Sequence, residues 1–141
     1  MTKIKETSLQ QKIAKIINAE PGYNCLVMPT PRTWEGVYTQ KQPVDLIVSK
    51  AEKSIRIEMK ICNAVNTFNA NSIPNHQKIA IVYLLQKNIP VYLLVYMSYH
   101  KKLFMVDCKI LGKKSCFKIP DMNFFDMSEI VKFVEFIFER L

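Results

Sequence analysis

Along residues 6–22, "ETSLQQKIAKIINAEPG", Leu9, Ile13, Ile16 and Ile17 recur at helical spacing and predict an amphipathic helix lying on the surface. Thr7 or Ser8 is available as its N-cap, and Pro21-Gly22 closes it. "YNCLVM" (23–28) reads as a strand, and the prolines and polar residues of "PTPRTWEGVYTQKQP" (29–43) describe a loop. "PVDLIVSKAEKSIRIEMKI" (43–61) then places two short Val- and Ile-rich runs around a polar centre, the pattern of an antiparallel hairpin turning near "SKAEKS".

"CNAVNTFNANSIPNHQ" (62–77) is polar and Asn-rich and predicts a loop whose Ser72 and Pro74 suit the start of a helix. That helix, "NHQKIAIVYLLQKN" (75–88), is apolar on nearly all sides, so most of it is expected to be covered. Strands are predicted at 90–97 and 102–108, joined by the basic tip "SYHKK". "KILGKKSCFKIPDMNFF" (109–125) reads as irregular and basic, and a last helix is expected from about 128 to 141 behind an acidic capping box of Asp126 and Glu129. Ile130, Val131, Val134, Ile137, Phe138 and Leu141 form its stripe, widened by Phe133 and Phe136 into a face broad enough for a core or a second subunit. The order α, β, β-β, α, β, β, α predicts one α/β domain over residues 1–141, a central mixed sheet flanked by helices.

The hairpin carries charges where core residues would pack better. Side chains alternate along a strand, so Arg56, Glu58 and Lys60 share one face and Ile55, Ile57 and Met59 the other. Antiparallel pairing would bring Asp45, at the start of the first strand, beside Glu58 and Lys60 at the end of the second. Two carboxylates that close repel each other unless a cation intervenes, and Mg²⁺ is held by one or two carboxylates with waters. An ion there could activate water or stabilise charge on a phosphoryl oxygen, with Lys60 orienting the water or offsetting charge in the transition state. That is the arrangement of metal-assisted phosphodiester hydrolysis; three charges on a solvated strand face are the bland alternative.

Composition adjusts this picture in three places. Over 141 residues at 49% hydrophobic content the chain can build a real core, and its net charge of +8 favours a polyanionic partner, nucleic acid or an acidic membrane face. Cys25, Cys62, Cys108 and Cys116 form no CxxC pair and the N-terminus has no apolar leader, so an intracellular, cytoplasmic protein with reduced thiols is expected. The most apolar stretch, "IPVYLLVYM" (89–97), is about half the length that spans a bilayer, so no membrane role is expected.

Pro-Val-Asp45 followed by Glu58-Met59-Lys60 resembles the signature of the PD-(D/E)XK nucleases. "MPTPRTW" (28–34) resembles the Pro-Thr-Pro segment of RecU-type Holliday junction resolvases, "NSIPNHQKI" (71–79) their Asn-Ile-His-x-His-Gln segment, and "IPVYLLVYMSYHKKLFMVD" their following strand pair. These matches fall in family order over roughly residues 8–110. The resemblance implies a PD-(D/E)XK nuclease-like fold and a homodimeric, Mg²⁺-dependent endonuclease, with Mn²⁺ as the alternative ion, that nicks four-way DNA junctions in symmetric pairs. It implies Asp45 and Glu58 as metal ligands, Lys60 as the catalytic lysine and Gln77 as a supporting glutamine. The family's helix-one Glu has no counterpart in "SLQQKI", where Gln10 or Gln11 stands, leaving Glu6 or Glu20 as substitutes. The segment between Pro31 and Asp45 is shorter than in the long bacterial members, as in a compact viral or minimal-genome relative. A nuclease acting on duplex, flap or mismatched DNA and a non-catalytic nucleic-acid-binding module of the same fold are the alternatives.

Other residues follow the DNA reading. Thr30 and Arg32 are candidate phosphate contacts, Arg56 either touches a phosphate or balances the acids, and Trp34 could stack on an unpaired base or pack locally. Lys101, Lys102, Lys113 and Lys114, with Lys109 and Lys118, form a basic stretch interleaved with Tyr99, His100 and Phe104, suited to phosphate contact. His76 is expected to be packed or DNA-facing rather than a metal ligand.

Overall fold

A computed structural model of the chain describes residues 5–28 and 45–141. Thr30, Arg32 and Trp34, with the loop that carries them, lie outside the described residues. The first helix, α1 (Glu6–Asn18), buries Leu9, Ile13 and Ile17 completely, as their spacing requires. It starts earlier than the Thr7 or Ser8 cap would set: Lys5 occupies the N-cap without a side-chain bond, and Glu6 puts a negative charge in the first turn, where the helix dipole favours it. Gly22, at φ +87°, turns the chain into β1 (Tyr23–Val27).

The hairpin is β2 (Leu46–Lys50) and β3 (Lys53–Cys62), paired antiparallel with Leu46 opposite Ile57 and turning at Ala51, φ 55°. A helix, α2 (Asn75–Gln86), leads from β3 to β5 (Val91–Met97), which lies parallel to it with Lys60 opposite Val95. Parallel neighbours need such a crossover, whereas β6 (Lys102–Asp107) returns from β5 through a tight turn. The five-stranded order β1-β2-β3-β5-β6 makes the expected mixed sheet with helices on both faces.

Strand alternation divides the interior in two. Leu46, Val48, Ile55, Ile57, Met59, Leu94 and Tyr96 face α1 and α3 (Ile130–Glu139), while Val91, Leu93, Val95, Met97, Phe104 and Val106 face α2. Each fully buried large apolar side chain contributes about 1.5–3 kcal/mol relative to exposure. The helix α3 starts after a 3-10 turn, Met127–Glu129, so it is slightly shorter at both ends than its apolar stripe suggests. The capping box forms, with the Asp126 amide donating to Glu129 Oε1 at 3.1 Å.

Two stretches expected to be irregular contain strands. Thr67–Asn69 (β4) and Cys116–Lys118 (β7) pair antiparallel, and Phe68 and Phe117, opposite each other, pack on Phe104 at centroid distances of 6.0 and 6.1 Å. This ribbon covers part of the α2 side of the sheet, so α2 is not enclosed as its composition suggests. Only Gln77, Ile81 and Leu84 of α2 are buried, and Ile79 is 70% exposed, with Val82 and Tyr83 also outward. Among the described residues no helix is long and apolar enough to cross a membrane.

Candidate active site

Where β2 enters the sheet, three strands meet at one residue. The Asp45 carbonyl accepts from the Met28 amide at 2.8 Å, tying it to the end of β1, and Asp45 Oδ2 accepts from the Met59 amide of β3 at 2.9 Å. One step beyond the Leu46–Ile57 pair, the hairpin register sets Asp45 beside Glu58. Asp45 is thus fixed to backbone on both sides, through its carbonyl to β1 and through Oδ2 to β3.

Glu58 points to the α2 side of the sheet and is only 2% exposed. A carboxylate so deep in a protein needs a cation or donors near it. Lys60, two residues along the same strand face, supplies one: its Nζ stands 3.7 Å from Glu58 Oε1. The same ammonium donates to Gln77 Oε1, which the first turn of α2 carries down onto the strand. Gln77 is 7% exposed, so its polar end is spent on this contact rather than on water. Lys60 therefore has two oxygens beside it from two elements, and retains some exposure through which a substrate can be reached.

The structure brings Asp45, Glu58, Lys60 and Gln77 into one cluster. Arg56 lies one alternation behind Glu58 on the same strand face and is half-buried, paired across the sheet with Ile47 and Val91. Lys101 and Lys102 lie at the β5–β6 turn, where Lys102 also pairs with Asp126 at 3.1 Å. Lys113 and Lys114 precede β7, and Lys114 pairs with Asp121 at 2.9 Å with its Nζ 5.6 Å from the Phe117 ring centre. Exposed pairs of this kind hold weakly, so both lysines can exchange partners for phosphate. His76 is exposed on the first turn of α2. Gln10 on α1 is buried at 7%, whereas Gln11, Glu6 and Glu20 are not.

Two carboxylates are what the site offers a metal: among the described residues no group of three or more His, Cys, Asp or Glu gathers to hold one. That set suits a hard octahedral ion completed by water, Mg²⁺ or Mn²⁺, better than zinc, whose protein sites are built mainly from His and Cys. Cys108, on the same side of the sheet, offers no thiolate. Burial, then the charges of Asp107 and Glu58, pushes its thiol up to about 12. The Met59 amide that anchors Asp45 could have been found from the sequence only by fixing the hairpin register residue by residue.

No protein-family model matches the chain, and no curated protein matches it at a significant level. Among solved structures, the chain is similar to Hjc, a Holliday junction resolvase from the archaeal hyperthermophile Archaeoglobus fulgidus. The two are 14% identical over 89% of this chain and 99% of that one, with a TM-score of 0.47. At this level the likeness carries no chemistry, which rests on the side chains.

Proposed function

We propose that the chain is a metal-dependent DNA endonuclease, and that four-way junctions are its substrate. One observation carries the reading: Asp45, Glu58 and Lys60 project together from a hairpin, with Gln77 of the next helix on the lysine. A fold gains nothing from placing two carboxylates side by side and burying one of them, so the cluster is better explained by chemistry than by stability. Its net charge of +8 fits a polyanionic substrate. The segments that resemble junction resolvases favour the branched substrate, and paired nicking calls for two copies, hence a homodimer.

Asp45 and Glu58 would hold the ion, Mg²⁺ or Mn²⁺; when bound it supplies a Lewis acid for a phosphoryl oxygen and lowers the pKa of water. Water adds to phosphorus, one ester P–O bond breaks, and the diester becomes a monoester and an alcohol. Lys60 sets a fixed positive charge against the negative charge that develops on the phosphoryl oxygens. Gln77 restricts the lysine to one position, so that charge needs no reorganisation as the reaction proceeds. Glu58, besides ligation, stands 3.7 Å from the Lys60 ammonium and helps hold it at the site.

The decisive experiment compares cleavage of a synthetic four-way junction and a linear duplex of the same sequence, with Mg²⁺ and with EDTA, for the natural chain and Lys60→Ala. Symmetric nicks in the junction that need Mg²⁺ and Lys60 are the expected result. Equal cleavage of the duplex reassigns the substrate, and cleavage undiminished by Lys60→Ala removes the site.

A further inference from the structure

The turn between β5 and β6 carries a feature that the catalytic cluster does not use. Tyr99 sits at its tip and is 66% exposed, more than the other outward aromatics Tyr83 and Phe136. Its neighbours hold it in place. The His100 ring meets Tyr99 edge-on at 5.2 Å and packs on Phe124 at 5.3 Å, and His100 Nε2 is hydrogen-bonded to the Val65 carbonyl at 2.7 Å. The turn is further tied to the segment after β3: the Ser98 amide donates to the Cys62 carbonyl at 2.9 Å, and Ser98 Oγ donates to Asn63 Oδ1 at 2.7 Å. The amides of His100 and Lys101 both donate to the Met97 carbonyl, and Lys101 takes a left-handed backbone, φ 55°. A ring this exposed and this firmly mounted is a surface prepared for contact, since little freedom remains to be lost when something stacks on it.

Position and charge say what would stack there. Lys60 lies opposite Val95, four residues before Tyr99, so the backbone of Tyr99 stands at most about 13 Å further along the strand direction at roughly 3.3 Å per residue. That is roughly four nucleotide steps along a duplex axis at about 3.4 Å each. Lys101 is exposed two residues on, and Lys102 adjoins it. An aromatic ring flanked by cations at the same end of the sheet as a phosphodiester site matches a nucleobase, with its own π-face and its phosphates on either side. A paired base inside a duplex offers no free face; an unpaired one does.

We propose that Tyr99 is a stacking platform for an unpaired base close to the scissile phosphate, so that it selects DNA whose stack is interrupted over continuous duplex. The inference rests on the nuclease reading for the identity of the ligand, though binding can be read without cleavage. His100 acts as a positioning residue that fixes the ring from behind.

The test uses the full chain in EDTA, where no turnover is expected, with fluorescent 2-aminopurine as the unpaired base in a DNA carrying a single-nucleotide bulge, and a fully paired duplex as control. The natural chain and Tyr99→Phe should bind the bulged DNA more tightly than the duplex and change the 2-aminopurine fluorescence on binding. Tyr99→Ala should lose roughly 5- to 100-fold affinity for the bulged DNA while its duplex affinity stays within about twofold. Equal losses on both DNAs, or no loss on either, would overturn the platform. A natural chain that discriminates through Tyr99 but never cleaves in Mg²⁺ would sink the nuclease and keep the platform; one that cleaves without discriminating does the reverse.

Discussion

The Asp45 carboxylate and the Met59 amide are bonded at 2.9 Å across the hairpin, so the residue that would bind metal is also a backbone fastener. The two roles separate by substitution. Asn at 45 can still accept from the Met59 amide but carries no charge, whereas Ala leaves that donor without its partner. Asp45→Asn should abolish cleavage with thermal stability nearly unchanged, and Asp45→Ala should also lose about 1–3 kcal/mol in denaturant unfolding. Equal destabilisation by both would show that the bond is not what holds the hairpin end.

Lys60 and Gln77 predict a graded pair. Removing the ammonium with Lys60→Ala should slow single-turnover cleavage roughly 100- to 1,000-fold, the cost of one preorganised electrostatic group. Gln77→Ala keeps the charge but loosens it, and an interaction with a charged group is worth about 1.5–3 kcal/mol, so a loss of roughly 10-fold or more is expected. In the double variant, Gln77→Ala should add little to Lys60→Ala, because its effect passes through the lysine.

The four thiols should react in two classes. Burial pushes Cys25 up to about 11 and Cys108 up to about 12, and both are nearly inaccessible, whereas Cys116 is exposed and Cys62 partly so. Alkylation at neutral pH followed by peptide mass mapping should label Cys116 first and Cys62 next. Cys25 and Cys108 should be labelled only in denaturant; rapid labelling of Cys108 in the native chain would contradict its burial.

Asp121 ties the connection before β7 to the turn after it. Its carboxyl is held below the usual range by the Lys118 amide, at 3.0 Å, and then by the Lys114 ammonium. Because the folded value lies below the unfolded one, the contribution is complete above the ordinary carboxylate range and is lost as pH falls through the folded value. The Lys118 amide should therefore lose protection from hydrogen exchange on acidification, and Asp121→Ala should show the weakened protection already at neutral pH.

Phe104 is the post on which the ribbon stands, with Phe68, Phe117 and Phe124 around it. Phe104→Ala should cost about 3–5 kcal/mol, the range for deleting a buried aromatic ring. A loss below about 1 kcal/mol would mean the ribbon is not part of the cooperative fold.

The large elements were legible because long stretches repeat a period: Leu9, Ile13 and Ile17 mark a helix, and the alternation through Ile55, Ile57 and Met59 marks a strand. The same parity, with an antiparallel register, was enough to put Asp45, Glu58 and Lys60 together. The strands β4 and β7 escaped because each is three residues long and inserts a single Phe, which leaves no period to count. The exposure of Ile79, Val82 and Tyr83 was hidden for another reason: composition says what a helix could bury, and only the available neighbours decide what it does. The mounting of Tyr99 depends on contacts 35 residues apart, such as His100 to Val65, which no local pattern encodes.

The parallel pairing of β3 with β5 has a bearing on when the molecule becomes competent. Asp45 and Glu58 belong to one hairpin and can meet through local chain folding, but Gln77 reaches Lys60 only once the crossover helix is seated on the sheet. Closing that longer loop is the slower, entropy-limited event. We expect the regain of catalysis during refolding to follow formation of the parallel pair rather than of the hairpin, so that the carboxylates assemble first and wait for their lysine to be locked. Cleavage returning before that pairing is protected from hydrogen exchange would reverse this order.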